Sequence, residues 1–397
     1  MIGQPMHRQV LLLASTQALF QTASVLVITI GGLAGALVAP SPQLATAPIA
    51  AMFLGTAVAT IPASVWMSRI GRKHGFILGA AAGTLGGLIS AAGLWLGSLA
   101  ILSFGTFLVG VYQAFAQFYR FAASEVANEN FRSQAISLVL AGGVVAALMG
   151  PLLGRYGSAL LEPTYTGSFV LLSVVSLAAT GLLFLLRIPP PTARSSADAE
   201  TARPLTQILS QPTYLVALFG AATGYGVMIL AMTATPIAML QHHHNLADAA
   251  FVIQLHVLGM FLPSFFTGSL IARFGVLQVM LAGVTLLAGH ILLTLTGLGL
   301  NSFISALILL GVGWNFLYVG GTTLLTRSYT PSEAGRAQGV NDMSIFAIGL
   351  VASLSAGIMF KAFGWQLLNV LLLPWLAAAA LALLWLAARQ RRIERSN

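Results

Sequence analysis

The chain has 397 residues, 57% hydrophobic and 7% charged, with a mean hydropathy of +0.90. That balance excludes an ordinary soluble domain and indicates an all-α membrane protein. The net charge of +9 does not call for nucleic acid, because the basic residues gather on one side of a membrane plan, and with no cysteine there are neither disulfides nor thiolate ligands.

Twelve apolar runs of spanning length follow one another at roughly 10–37, 43–68, 75–97, 99–122, 134–157, 166–187, 213–239, 248–272, 276–298, 302–326, 337–361 and 366–388. Before the first stands one basic residue, Arg8, with no small-residue cleavage site, so that run is read as a retained helix. Sixteen of the eighteen Lys and Arg residues fall on one side of this plan, leaving Arg155 and Lys361 on the other. This asymmetry places both termini in the cytoplasm. After Ile188 comes Pro189-Pro190-Pro191 and a polar stretch with Arg194, Asp198, Glu200 and Arg203. The expected division is 1–188, a six-helix bundle; 189–211, a cytoplasmic linker; and 212–397, a second six-helix bundle.

The halves repeat. Arg69-x-Gly71 matches Arg273-x-Gly275, and Glu129, Arg132 and Gln134 match Glu333, Arg336 and Gln338, all at one offset of 204. A constant offset across two loops indicates a duplicated unit, which places a substrate path where the repeats meet. Ser64-x3-Ser68-Arg69-Ile70-Gly71-Arg72-Lys73 resembles the signature of the major facilitator superfamily, with serines where that motif has a glycine and an aspartate. Its echo, Gly268-x3-Ala272-Arg273-Phe274-Gly275, also lacks the acid. The resemblance implies the major facilitator fold, with twelve transmembrane helices in two pseudo-symmetric bundles. It also implies a cytoplasmic gate at Arg69, Gly71, Arg72, Arg273 and Gly275.

The stretch from Gly224 to Met260 carries two spaced pairs, Met228-x3-Met232 and His256-x3-Met260. Residues four apart share a helix face. On antiparallel helices Met228 comes level with Met260 and Met232 with His256, in layers roughly 6 Å apart. Thioether and imidazole suit a soft cation such as Cu(I), whereas hard divalent ions want carboxylates. None of the nine acids lies at the midplane of the plan; Asp342 comes nearest. The two pairs resemble those of the CcoA-like copper importers, and this implies copper handling by all four residues. His242, His243 and His244, with Met239 beneath them, either collect metal at the outer mouth or form a solvated loop. His256 reads as functional because burying an unpaired imidazole is costly, the alternative being a structural histidine that donates to a backbone carbonyl, while the solitary His290 reads as structural.

A second reading comes from Ala146-x3-Gly150-Pro151-x2-Gly154, which resembles a motif of proton-coupled drug exporters, although such small residues also let helices pack closely. A cavity lined by Tyr112, Phe115, Trp314 and Tyr318 would suit a lipophilic drug. Gly311, Gly313, Gly320 and Gly321 around Trp314 and Asn315 suggest a bendable helix in either case. No nucleophile–base pair, phosphate loop or carboxylate pair points to an enzyme. The sequence thus predicts a monomeric carrier in a bacterial inner membrane, without cofactor or nucleic-acid partner. Its expected substrate is copper, bare or chelated, for oxidase assembly; the alternative is drug export.

Overall fold

The computed structural model describes residues 5–41, 44–188 and 203–396. The predicted linker therefore lies outside the described residues over 189–202. Among the described residues the chain is helical, with no strand. The helices are α1 Pro5–Val38, α2 Ala47–Ile70, α3 Arg72–Trp95, α4 Leu99–Ala116, α5 Tyr119–Val126, α6 Arg132–Gly157 and α7 Thr166–Phe184. After the short α8 (Leu205–Leu209) come α9 Pro212–Gln241, α10 Leu246–Phe261, α11 Ser264–Phe274, α12 Val276–Leu295, α13 Leu300–Leu325, α14 Ala334–Val370 and α15 Leu373–Ser396.

Among the described residues, eleven stretches are long and apolar enough to cross a membrane, and the last, Ala334–Arg392, covers 59 residues. Within it Gly364 takes φ 70 and ψ 178, breaking helical geometry between the two final predicted spans. The twelve-helix plan therefore holds, with two spans run together around one glycine. Two other predicted spans are interrupted. The fourth becomes α4 and α5, and the eighth becomes α10 and α11, with Pro263 just before α11. Proline has no N–H to donate and its ring crowds the carbonyl one turn back, which interrupts the helical hydrogen bonding there while Leu262 and Pro263 keep right-handed helical angles.

The duplication is visible in the backbone. Gly71 closes α2 and opens α3 at φ 90, ψ 153, while Gly275 does the same between α11 and α12 at φ 92, ψ 152. A side chain at such a φ is strained, which explains a glycine at both positions of the repeat.

Two compact units result. One contains the chain up to Asn128, the segment beginning at Leu138 and Ala334–Gly339; the other contains Glu129–Ser137, the segment Arg203–Glu333 and the segment beginning at Val340. In the first, α3 packs along α4 and α7, and α2 along α4. Small residues permit this: a Cβ on Gly55 would come within 2.2 Å of the Phe107 carbonyl oxygen, and one on Gly110 within 1.9 Å of that of Met52. In the second, α13 is the central helix, packed along α9, α10 and α12. Close helix approach through small residues is how membrane helices associate without a hydrophobic drive between them.

Candidate functional site

The candidate site is built around α13 and the break after α10. Asn315, wholly buried on α13, donates from Nδ2 to the Met260 carbonyl at 2.7 Å and to Ser264 Oγ at 2.5 Å. Its Oδ1 accepts from Thr267 Oγ1 at 2.7 Å. One side chain thus ties both sides of the Pro263 break to α13. A proline is tolerated inside a membrane helix where neighbouring polar groups satisfy the loosened backbone. The helices meet closely here, since a Cβ on Gly311 would stand 2.6 Å from the His256 carbonyl oxygen and 2.7 Å from the Met260 nitrogen.

His256 is fully buried. Its Nδ1 lies 2.8 Å from the Leu307 carbonyl, which can only accept, so Nδ1 carries the hydrogen. Nε2 is also buried and has no hydrogen-bond partner. Met260, on the same face one turn on, is buried, as is Met228, while Met232 is half-buried. Gly224 of α9 meets Leu317 of the antiparallel α13. One further turn brings Met228 level with Gly313, at the height where Met260 meets α13. Neither α9 nor α10 leans mainly on the other; each packs along α13.

An aromatic group occupies the same region. Trp314 and Tyr318 stack at 4.9 Å between ring centroids and 15° between planes. Phe261, at the end of α10, meets Trp314 edge-on at 5.7 Å. Tyr225 of α9 lies 6.3 Å from Tyr318 and 5.7 Å from Phe346 of α14. The buried Trp314 Nε1 has no hydrogen-bond partner.

In the first unit, Tyr112 and Phe115 are buried against α3, where Gly83 and Gly79 make room for their rings. Both rings are thus held within this unit against α3. The small residues of α6 also have a packing role: a Cβ on Gly150 would stand 2.6 Å from Val25, and one on Gly154 3.0 Å from Ile30, both on α1.

At the loop after α9, Met239 is fully buried, His242 is half-buried and His243 is exposed at φ 63. His244 commits Nε2 to the Leu298 carbonyl at 2.8 Å and packs edge-on against Phe303. Asn245 and Asp248 form a capping box that starts α10, which accounts for that acid.

At the opposite ends of the helices, Arg72 pairs with Glu125 at 2.6 Å and donates to Gln338 Oε1 at 2.6 Å, while Arg69 and Arg273 are exposed. Ser64 Oγ donates to the Gly335 carbonyl. A hydroxyl thus does local work where the signature has a glycine. Glu333 takes a two-pronged contact from Arg203, 2.8 Å to Oε1 and 2.6 Å to Oε2. The Arg203 hydrogen bonds hold the Glu333 carboxyl at about 2, below its ordinary 4.5.

The model of the Major Facilitator Superfamily matches residues 10–253 and 216–397. The chain belongs to this superfamily. It is therefore a multi-pass membrane transporter and not an enzyme. Among curated relatives, riboflavin transporter RfnT of Brucella anthropi is 39% identical over 379 residues, covering 95% of each chain. The uncharacterized MFS-type transporter YddS of Bacillus subtilis is 31% identical, covering 86% of this chain and 82% of the relative. Of solved structures, the superfamily transporter FucP in its outward conformation matches with a TM-score of 0.73 at 17% identity, over 95% of this chain and 98% of that one. The human organic anion transporter MFSD10 gives 0.75 at 13% identity, over 96% and 100%. These two likenesses speak for the fold. No copper importer appears among these relatives, so the finer resemblance gains no support from them.

Two roles in this superfamily member emerge only from the structure. Asn315 is the tie at the helix break. Asn369 of α14 reaches His290, with Oδ1 3.0 Å from Nε2. The available signal was a buried amide in an otherwise apolar span, which is costly unless partnered.

Proposed function

We propose that this transporter carries riboflavin, or a solute of the same chemistry: a flat aromatic ring system bearing a hydroxylated chain. The observation that carries this reading is the parallel pair Trp314–Tyr318, edged by Phe261, beside the broken helix. Flat ring systems bind by offset stacking on such side chains, and a few placed polar groups then fix orientation. Support also comes from the full-length similarity to a riboflavin transporter. In this reading the chain works as a monomer without cofactor in a bacterial inner membrane, with its Arg-rich loops and termini in the cytoplasm. A bacterial strain unable to make riboflavin tests it: expression should restore growth at low external riboflavin, and failure to do so would count against the substrate.

A second reading, copper import as Cu(I), is favoured by one observation. His256 Nε2 is a buried lone pair with no hydrogen-bond partner, Met260 stands one turn away, and Met228 is level with it. Imidazole and thioether are soft donors. Radioactive copper uptake separates the readings: under the copper reading it falls on deleting the protein, and under the riboflavin reading it does not change.

A further inference from the structure

We propose that His290 is a proton-binding site of this carrier, built to hold the imidazolium form. The ring is fully buried on α12. Its Nδ1 lies 2.9 Å from the Ala306 carbonyl and its Nε2 lies 3.0 Å from Asn369 Oδ1. The carbonyl can only accept. The amide is oriented by its other end, since Asn369 Nδ2 donates to the Trp365 carbonyl at 2.8 Å. Turning the amide over would set two oxygens face to face. Both ring nitrogens therefore meet acceptors, and only a ring protonated on both satisfies them. A neutral ring keeps one N–H and points a lone pair at the other oxygen.

The surroundings make this a site for a transient proton. The α13 span carries no charged residue, and α9 carries none either. On α15 the charges begin at Arg389, and on α11 the charge is Arg273, both towards the Arg-rich ends. On α14, Asp342 lies many turns from Asn369, while Lys361 is exposed. The titratable neighbour is His256 of α10, on which the charge of His290 bears. It grips the adjacent carbonyl of α13, so the two rings hold Ala306 and Leu307. A cation in this setting has two good acceptors and no counter-charge, and hydrocarbon opposes it. Favourable contacts set against burial let small movements of α12, α13 and α14 load or release the proton, and ionisable groups inside membranes serve such relays. His290 lies about 8 Å along α12 from the end nearest the His244 loop, at the helical rise of ~1.5 Å per residue, so the site is closer to that end of the helix than to the other.

The proton moves from water to the ring nitrogen and back, with no other bond changed. The test uses the full-length protein in lipid nanodiscs with 15N-labelled histidine, followed across a pH range of about 5 to 8, where imidazoles change charge. One ring, absent from the spectrum of His290→Gln, should carry hydrogens on both nitrogens at the acid end and lose one as pH rises. Asn369→Asp should keep that ring doubly protonated to a proton concentration at least tenfold lower, and Asn369→Leu should do the opposite. A His290 ring with a single N–H throughout, in parent and Asn369→Asp alike, overturns the site.

A transport arm rests on the riboflavin reading. In proteoliposomes, an inward proton gradient should speed riboflavin uptake by the parent and not by His290→Gln, and stimulation persisting in that variant overturns coupling through His290. A doubly protonated ring without any riboflavin movement supports the proton site and removes the substrate reading alone.

Discussion

Asn315 and Met260 are joined by a 2.7 Å hydrogen bond from the side-chain amide of one to the backbone carbonyl of the other, just before the break between α10 and α11. The bond is buried in a span where no water replaces it. Its loss leaves a polar group unsatisfied, which costs about 1–3 kcal/mol. Asn315→Leu should accordingly lower the thermal midpoint of the purified carrier and impair transport, while Asn315→Gln should recover part of both. Thermal unfolding in detergent beside uptake measures this; a Leu variant as stable as the parent would mean that the break holds without its tie.

The aromatic pair gives a second expectation. Trp314→Ala removes a stacking partner worth ~0.5–1.5 kcal/mol, so apparent KM for riboflavin should rise about 2- to 12-fold. Trp314→Phe should retain most of the affinity. Under the copper reading the ranking inverts, with Met228→Ala and His256→Ala abolishing copper uptake and Trp314→Ala having little effect. Initial rates for these variants with both substrates distinguish the two.

The repeat glycines make a prediction about stability. Gly71 and Gly275 share a positive φ within a few degrees. Alanine at either should cost about 1–3 kcal/mol, and the two losses should be alike. Gly181 is the contrast: it lies inside α7 with no neighbour within 4 Å of an added Cβ. Gly181→Ala should be neutral or stabilising by ~0.5–1 kcal/mol, as for any exposed helix interior. Thermal midpoints of the three variants decide it.

Glu333 predicts a pH dependence. Its carboxyl is held at about 2, below the ordinary 4.5, chiefly by the Arg203 hydrogen bonds. A depressed carboxyl adds stability above its unfolded value and loses it as pH falls through the folded one. The contribution is therefore complete above about 4.5 and fades towards 2. Arg203 is 38% exposed, so water weakens the pair. Glu333→Gln should be less stable than the parent at neutral pH, with the gap closing on acidification. Unfolding midpoints of parent and variant at several acidic pH values measure it.

Most of the architecture was legible because a bilayer permits few backbones. Long apolar runs gave the spans, and the glycines of the paired Arg-x-Gly motifs proved to share one backbone geometry. What escaped were interruptions and partners. The expected eighth span splits where Pro263 stands, and two final spans run together around Gly364, since hydropathy averages over single residues. The partnership of His290 with Asn369 was not legible, because the two are distant in sequence and close only through packing. The match in depth of Met228 and Met260 was visible from numbering alone. That their helices both lean on α13 was not, because helix neighbours are a tertiary property.

Uptake of radiolabelled riboflavin into liposomes containing only the purified protein tests the central claim most directly. The account predicts saturable uptake above that of empty liposomes, competed by unlabelled riboflavin and weakened by Trp314→Ala. Uptake no greater than in empty liposomes, from a protein shown to be folded, would contradict it.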